Sequence, residues 1–215
     1  ILLLAIIPAM AHAQAQFQTL HDDPALRQPP HWEPAAGFTT ADPAIQAIFF
    51  DAKPYKGKPT RVFAFIGVPA HAPGVKLPGI VLLHGGGGTA YEAWVKAWND
   101  RGYAAISLDL YGRVPNGPAE TDAIPHPDGG PPGSDAAFAQ INDPIEDQWP
   151  FHAVADVMLA QSLLASMPDV DAKRIGLTGL SWGGYLTCLV AGIDERFQFA
   201  VPVYGCGYIN ECTWS

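Results

Sequence analysis

The chain reads as an α/β protein with a mostly parallel sheet and helices on both faces. Three observations predict this. Short continuous apolar runs, Gly79–Leu83 and Tyr103–Asp109, have the length and the turn-forming flanks of strands buried on both faces. Segments with helical periodicity separate the runs, and strands that alternate with helices pack as parallel sheets with crossover connections. Two glycine-rich turns, His84–Gly88 and Gly179–Gly184, directly follow strand-like runs. In an open α/β sheet that is where ligands are met.

The elements follow in chain order. Ile1–Ile7 is an apolar run followed by alanines at 11, 13 and 15. It has the form of the core and cleavage region of a secretory signal peptide over residues 1–15, incomplete because the positive segment that should precede it is absent. The run is too short for stable membrane insertion, and the expected location is secreted or periplasmic. Residues 16–43 form a proline-rich N-terminal extension without regular pattern, and residues 44–215 an α/β domain. Ile45–Phe50 and Arg61–Val68, joined by the turn Lys53–Gly57, read as an antiparallel hairpin at a sheet edge.

After the buried strand Gly79–Leu83 a helix begins, with Thr89 and Glu92 spaced as a capping box and Trp94, Val95 and Trp98 on one face. The strand Tyr103–Asp109 then leads into a long proline- and glycine-rich stretch from Leu110 to Asp147, of a length that in compact domains serves function or is mobile. Pro150 suits the first turn of a helix through Ser166 whose Val154, Val157, Met158 and Leu164 form a core stripe. Ile175–Thr178 and Phe199–Tyr204 are the last two strands.

Composition narrows the function. With 215 residues and 48% hydrophobic content the chain can bury a substantial core. A net charge of −9 and only 12 Lys and Arg argue against nucleic acid as a partner. Cys188, Cys206 and Cys212 are an odd number, so no fully paired internal framework exists in this segment. Cys206 and Cys212 could pair in an oxidising compartment, stay reduced or bond elsewhere. Cys188, on the helix after the second glycine turn, is expected to be a small buried apolar residue. The histidines are too dispersed for a zinc pattern, and the glycine run lacks the Gly-Lys-Ser/Thr ending of a phosphate loop. No metal and no cofactor is expected.

Gly179-Leu180-Ser181-Trp182-Gly183-Gly184 carries the chemistry. A serine hydroxyl attacks carbonyl carbon well only when presented bare on a sharp strand-to-helix turn, and glycines two before and two after relieve the crowding of that turn. Ser181 is therefore the expected nucleophile. The Trp182 N–H and a backbone N–H of the His84–Gly88 turn are the expected donors to the oxyanion of a tetrahedral intermediate, each typically worth about 3 kcal/mol of barrier. His126 and His152 read as loop and helix-surface residues. Asp109 at a strand end, and Glu146 with Asp147 near Trp149, could line the site, though a structural role is the commoner one. Asp194-Glu195-Arg196 reads as a helix-to-strand connection.

His84–Gly88 after a buried strand, Val170–Gly176 before the elbow and Gly179–Tyr185 at it make the chain resemble the α/β-hydrolase superfamily. Within it the resemblance is to the acetyl xylan esterase, dienelactone hydrolase and prolyl oligopeptidase group, over about Ile45 to Gly205. The resemblance implies a serine hydrolase cleaving small-molecule or carbohydrate esters, acetyl esters among them, through an acyl-enzyme on Ser181, with the Trp182 N–H as one oxyanion donor, Gly86 or Gly87 as the second, and His84 shaping the glycine turn. A prolyl oligopeptidase-like peptidase is the alternative within enzymes. In that superfamily the acid and histidine follow the serine, and no histidine follows His152 here. The expectation is that the C-terminal strands and helices of the domain are missing from the chain, with a non-catalytic or degenerate fragment as the reading from another class.

Overall fold

A computed structural model describes residues 17–119 and 121–205; the expected signal peptide, Cys206 and Cys212 lie outside the described residues. The strands are β1 (Trp32–Pro34), β2 (Ile45–Tyr55), β3 (Lys58–Gly67), β4 (Leu77–Leu83), β5 (Ala104–Leu108), β6 (Arg113–Pro115), β7 (Ala123–Pro125), β8 (Val170–Leu180) and β9 (Phe199–Val203). The helices are α1 (Glu92–Asn99), α2 (Trp149–Ser166) and α3 (Trp182–Ala191). A seven-stranded sheet runs in the order β1-β2-β3-β5-β4-β8-β9, and β6 and β7 form a separate two-stranded ribbon. β5, β4, β8 and β9 are parallel, whereas β1, β2, β3 and β5 pair antiparallel. The expected α/β architecture is present, with an antiparallel limb larger than a single edge hairpin.

Strand alternation explains the two layers of core. Successive side chains of a strand point to opposite faces. Ile48 and Phe50 of β2, Val81 and Leu83 of β4, and Ile106 of β5 join one cluster with α2 and α3. Ala47 and Phe49, Ile80 and Leu82, and Ala105 join the other, where Val95, Trp94 and Trp98 of α1 cover the sheet. Helices thus lie on both faces, as the apolar runs require.

The chain leaves β4 through α1 to β5 on one side, then crosses through α2 to β8 on the other side of β4. The direction of winding changes at β4, and the carboxyl ends of β4 and β8 flank the crevice such a switch leaves. Both glycine turns stand there.

Six expectations change. The extension is not patternless: a helical turn at 17–22, a 3-10 helix at Pro24–Arg27 and β1 pack on the domain, with Leu20 and Leu26 buried in the α2 core. Ser162 Oγ donates to the Leu26 carbonyl at 2.7 Å, and Arg27 pairs with Glu195 at 3.0 Å, so the strap is tied at both ends of the polarity scale. Because β1 lies outside β2, the hairpin is not the sheet edge. Its turn is tighter than read, with Lys56 and Gly57 at φ 49° and 76°, the two positive values a type I′ turn needs.

α2 is more than a stripe. Every residue from Phe151 to Leu164 is buried, because the sheet, α3 and the N-terminal strap enclose it, so His152 is buried rather than on the helix surface. Its Nε2 bonds the Glu146 carbonyl at 2.8 Å. Thr89 does not cap α1. The helix begins at Glu92 with Tyr91 as cap residue, and the Glu92 carboxylate instead accepts from the N–H groups of Ala41 and Asp42 at 2.8 and 3.2 Å. Cys188, finally, is exposed rather than buried, since it points away from the apolar face that α3 turns to the sheet.

Candidate active site

The passage from β8 to α3 is one residue long. Ser181 holds φ 57° and ψ −114°, a conformation that L side chains rarely adopt and that typically costs about 1–3 kcal/mol. Two backbone bonds hold it: Ser181 N–H to the Val203 carbonyl at 2.8 Å, and Tyr185 N–H to the Ser181 carbonyl at 2.9 Å. The strain is therefore fixed by β9 on one side and by the first turn of α3 on the other.

The elbow glycines are demanded by packing. A Cβ at Gly179 would overlap the Gly183 carbonyl and come within 2.8 Å of Leu83 Cβ; one at Gly183 would overlap the Leu83 carbonyl oxygen and lie 2.7 Å from that of His84. A Cβ at Gly184 would strike the Tyr204 carbonyl. Backbone atoms cannot step aside as a flexible side chain can. The Gly-x-Ser-x-Gly-Gly pattern thus records how closely β4, β8, β9 and the start of α3 converge around one serine.

The other glycine turn follows β4 and lies against the elbow. An ideal Cβ on Gly85 would be 3.4 Å from Ser181 Cβ and 3.2 Å from the Leu180 carbonyl. Gly88 N–H closes the turn onto the Gly85 carbonyl at 3.2 Å, which leaves Gly86 and Gly87 at its tip. Gly87 has φ 76° and open space around its Cβ position.

His84 sits behind this turn and is fully buried. Its Nε2 accepts the Leu110 N–H at 2.9 Å, which puts the proton on Nδ1, 2.8 Å from the Gly85 carbonyl. Burial pushes the imidazole down to about 4, partly opposed by the Gly85 bond. Asp109 Oδ1 is 3.7 Å from His84 Nε2, but that nitrogen is already an acceptor, so no ion pair joins them. Asp109 instead clamps the start of the long stretch, its Oδ2 accepting from the N–H groups of Tyr111 and Arg113 at 2.9 and 2.7 Å. Burial raises its carboxyl to about 6. His84 and Asp109 are thus parts of the frame that ties the turn after β4 to the chain leaving β5.

The described residues between Leu110 and Asp147 are tied down at several points. Gly112 packs against Gly129 and Gly130 with no room for a side chain, and β6 and β7 zip together beyond them. Gln140 is a hook: its amide donates to the Pro132 carbonyl at 2.7 Å and its oxygen accepts the Trp149 N–H at 2.6 Å. Trp149 in turn donates Nε1–H to the Leu110 carbonyl at 2.6 Å. Its ring meets Tyr111 at 5.5 Å and Trp182 at 5.4 Å between centroids, and Tyr111 stands edge-on to His84 at 4.7 Å. The residue after Ser181 is therefore embedded in an aromatic group supplied mostly by other elements.

Ser181, Trp182 and the turn bearing Gly86 and Gly87 come together. Glu146 and Asp147 occupy the short 3-10 helix Ile145–Asp147 that leads into α2, and His126 lies on the Phe49 ring at 4.7 Å, in the β6–β7 region. Sequence reasoning missed Tyr111 and Phe138, and took Trp149 only as a neighbour. Isolated aromatics in a proline-rich stretch carry no periodic signal. Among the described residues no helix is long and apolar enough to cross a membrane, and no group of three or more His, Cys, Asp or Glu side chains is placed to hold a metal ion.

The model of the family described as "Dienelactone hydrolase family" matches residues 62–213. Among solved structures the chain is similar to an acetyl xylan esterase from Paenibacillus sp. R4, with 26% identity and a TM-score of 0.62 over 86% of this chain and 58% of that one. It also shares its fold with acetyl xylan esterase 1 from Thermoanaerobacterium sp. JW/SL YS485, at 18% identity and TM-score 0.58 over 84% of this chain and 55% of that one. A putative acetyl xylan esterase from Bacteroides fragilis aligns at 13% identity and TM-score 0.55, over 86% and 52%. The chain thus spans little more than half the length of these structures. Comparison with the curated proteins finds no match.

Proposed function

The chain belongs to the dienelactone hydrolase family of α/β hydrolases, and from that premise we propose that the full-length protein cleaves carboxylic esters through an acyl-enzyme on Ser181. The observation that carries this is the strained backbone of Ser181 on a one-residue strand-to-helix turn, with a glycine turn packed against it. Strain at a residue held by its surroundings is characteristic of functional positions.

In the proposed mechanism Ser181 Oγ attacks the ester carbonyl carbon and loses its proton to a base. The C–O double bond becomes an oxyanion that accepts from the Trp182 N–H and from Gly86 or Gly87. Collapse expels the alcohol, and water repeats the sequence on the acyl-enzyme to release the acid. His84 is not the base, because both its ring nitrogens are committed to Leu110 and Gly85. As the superfamily resemblance implies, acid and base come from the part of the full-length protein that follows the elbow. Acetyl esters of carbohydrates are the proposed substrates, supported by the likeness to the Paenibacillus acetyl xylan esterase. The apolar N-terminal run supports a secreted or periplasmic setting without stable membrane insertion, and the acidic composition argues against nucleic acid as a partner.

The test is an assay of the full-length protein on p-nitrophenyl acetate and acetylated xylan beside a peptide substrate. Acetate release that disappears in Ser181→Ala is expected. Hydrolysis of the peptide alone, or ester cleavage that survives Ser181→Ala, would overturn the proposal.

A further inference from the structure

The stretch from Leu110 to Asp147 does one thing its anchoring does not require. The 3-10 helix Ser134–Gln140 presents Phe138 to solvent with 63% of its surface exposed, followed by Ile141 with 73% exposed. Ile141 caps this helix in helical conformation three positions after Phe138, the spacing at which 3-10 residues stand above one another. Phe138 is seated at the elbow: its ring meets the Trp182 ring at 5.9 Å with an interplanar angle of 64°. Trp182 is itself fixed from behind by Trp149 and Tyr185.

The position of Phe138 is built. Gln140 ties the segment to Pro132 and to the first residue of α2. Gly133, at the N-terminal end of the segment, lies so close to Tyr111 and to Trp149 Nε1 that no side chain fits. The helix is thus pinned at both ends while its largest apolar side chain, set against Trp182, the residue after Ser181, is left uncovered by the described residues. Exposed large aromatics on a pinned segment at a carboxyl-end crevice are suited to receiving a ligand rather than to stabilising the chain.

We propose that Phe138, with Ile141 above it and Trp182 beneath, is the specificity wall of the ester site and selects esters that carry an aromatic ring or a similarly flat apolar face. This rests on the reading of Ser181 as the nucleophile and deepens it by naming what the substrate presents besides its carbonyl group. A ring laid against Phe138 gains an aromatic contact and removes exposed apolar surface from water, an advantage of roughly three- to tenfold in kcat/KM.

The experiment compares ethyl acetate with benzyl acetate and ethyl phenylacetate, which place a ring on the alcohol or the acyl side while keeping an alkyl alcohol as leaving group. On the full-length protein at least one ring-bearing ester is expected to exceed ethyl acetate by about three- to tenfold, the difference lying in KM. Phe138→Ala is expected to bring that ratio toward one, and Phe138→Tyr to restore it. A ratio that Phe138→Ala leaves intact would overturn the inference, as would a wild-type enzyme with no preference for either ring. Binding of benzyl acetate to the Ser181→Ala protein, followed by ligand-observed NMR with and without Phe138→Ala, separates this inference from the proposed function. Ring binding that depends on Phe138 supports the wall even if no ester is turned over. Hydrolysis without such binding removes the wall and leaves the nucleophile.

Discussion

Two glycine turns stand side by side at the carboxyl ends of β4 and β8, and they use glycine for opposite reasons. In the elbow, Gly179, Gly183 and Gly184 are glycine because neighbouring backbone occupies the space of a Cβ. In the turn after β4, Gly87 has nothing within 4 Å of its Cβ position and is glycine for its φ of 76°. One set lets the protein close on itself around a strained serine. The other keeps backbone uncovered, where the proposed reaction would bring a substrate oxygen. Identical letters in the sequence thus mark packing in one place and access in the other.

The comparison is broken most severely at its centre. Ser181→Ala is expected to lower ester hydrolysis by the full-length protein at least a thousandfold while leaving its thermal transition in place, because the residual rate comes from binding and oxyanion donors alone. Steady-state kinetics beside a melting curve checks both halves. Next in size is Gly183→Ala, which puts a methyl group against the Leu83 and His84 carbonyls. A loss of about 3 kcal/mol or more is expected, read as a lowered urea midpoint or as failure to accumulate folded protein.

The frame behind the turns gives a pH test of similar magnitude. His84 is held at about 4, below its ordinary 6.5, so the unfolded chain takes up a proton that the folded one refuses; its contribution is present above pH 6.5 and lost as pH falls toward 4. Asp109 is raised from 3.8 to about 6, so its contribution is present below pH 4 and lost as pH rises through 6. Asp156, pushed up by burial and by the charge of Asp109, acts in the same direction as Asp109. His84 and Asp109, each on the order of 3 kcal/mol, largely cancel one another between pH 4 and 6, while Asp156 adds to the loss of stability with rising pH. In His84→Gln the cancellation is gone, and the variant is expected to lose stability with rising pH across that window more steeply than the wild type. Melting temperatures from pH 4.5 to 7.5 that run parallel for the two proteins would contradict the account.

The smallest effect is the sharpest test of the contrast. Gly87→Ala meets open space and only the left-handed φ, so a stability loss of about 1 kcal/mol is expected, with slower ester hydrolysis as the turn relaxes. Were Gly87→Ala as destabilising as Gly183→Ala, the distinction between the two turns would fail.

Much of this was legible in the amino-acid sequence, and for identifiable reasons. β4, β5 and the elbow lie in short runs whose neighbours in space are also neighbours in the pattern, so buried strands and the Gly-x-Ser-x-Gly turn stand out locally. Pro150 marked the start of α2 because its fixed φ suits a first helical turn. What escaped depends on distant partners. β1 and Leu26 acquire their roles only by packing against β2 and α2. Glu92 looked like half of a capping box until Ala41 and Asp42 claimed its carboxylate. His152 is buried because strap, sheet and α3 surround α2, which no stripe on one helix can reveal. The site followed the same rule: Ser181 was written locally, while the aromatic support of Trp182 is assembled from Tyr111, Phe138 and Trp149, which proline-rich sequence separates.

The central claim is that the strained elbow makes Ser181 the acyl acceptor. The most direct measurement is to mix the full-length protein with p-nitrophenyl acetate, quench in acid within the first turnover, and map the acetyl group by peptide mass spectrometry. The account predicts one acetyl group on the peptide containing Ser181, absent from Ser181→Ala. An acetyl group on another residue, or substrate turnover with no acylated serine at any quench time, would contradict it.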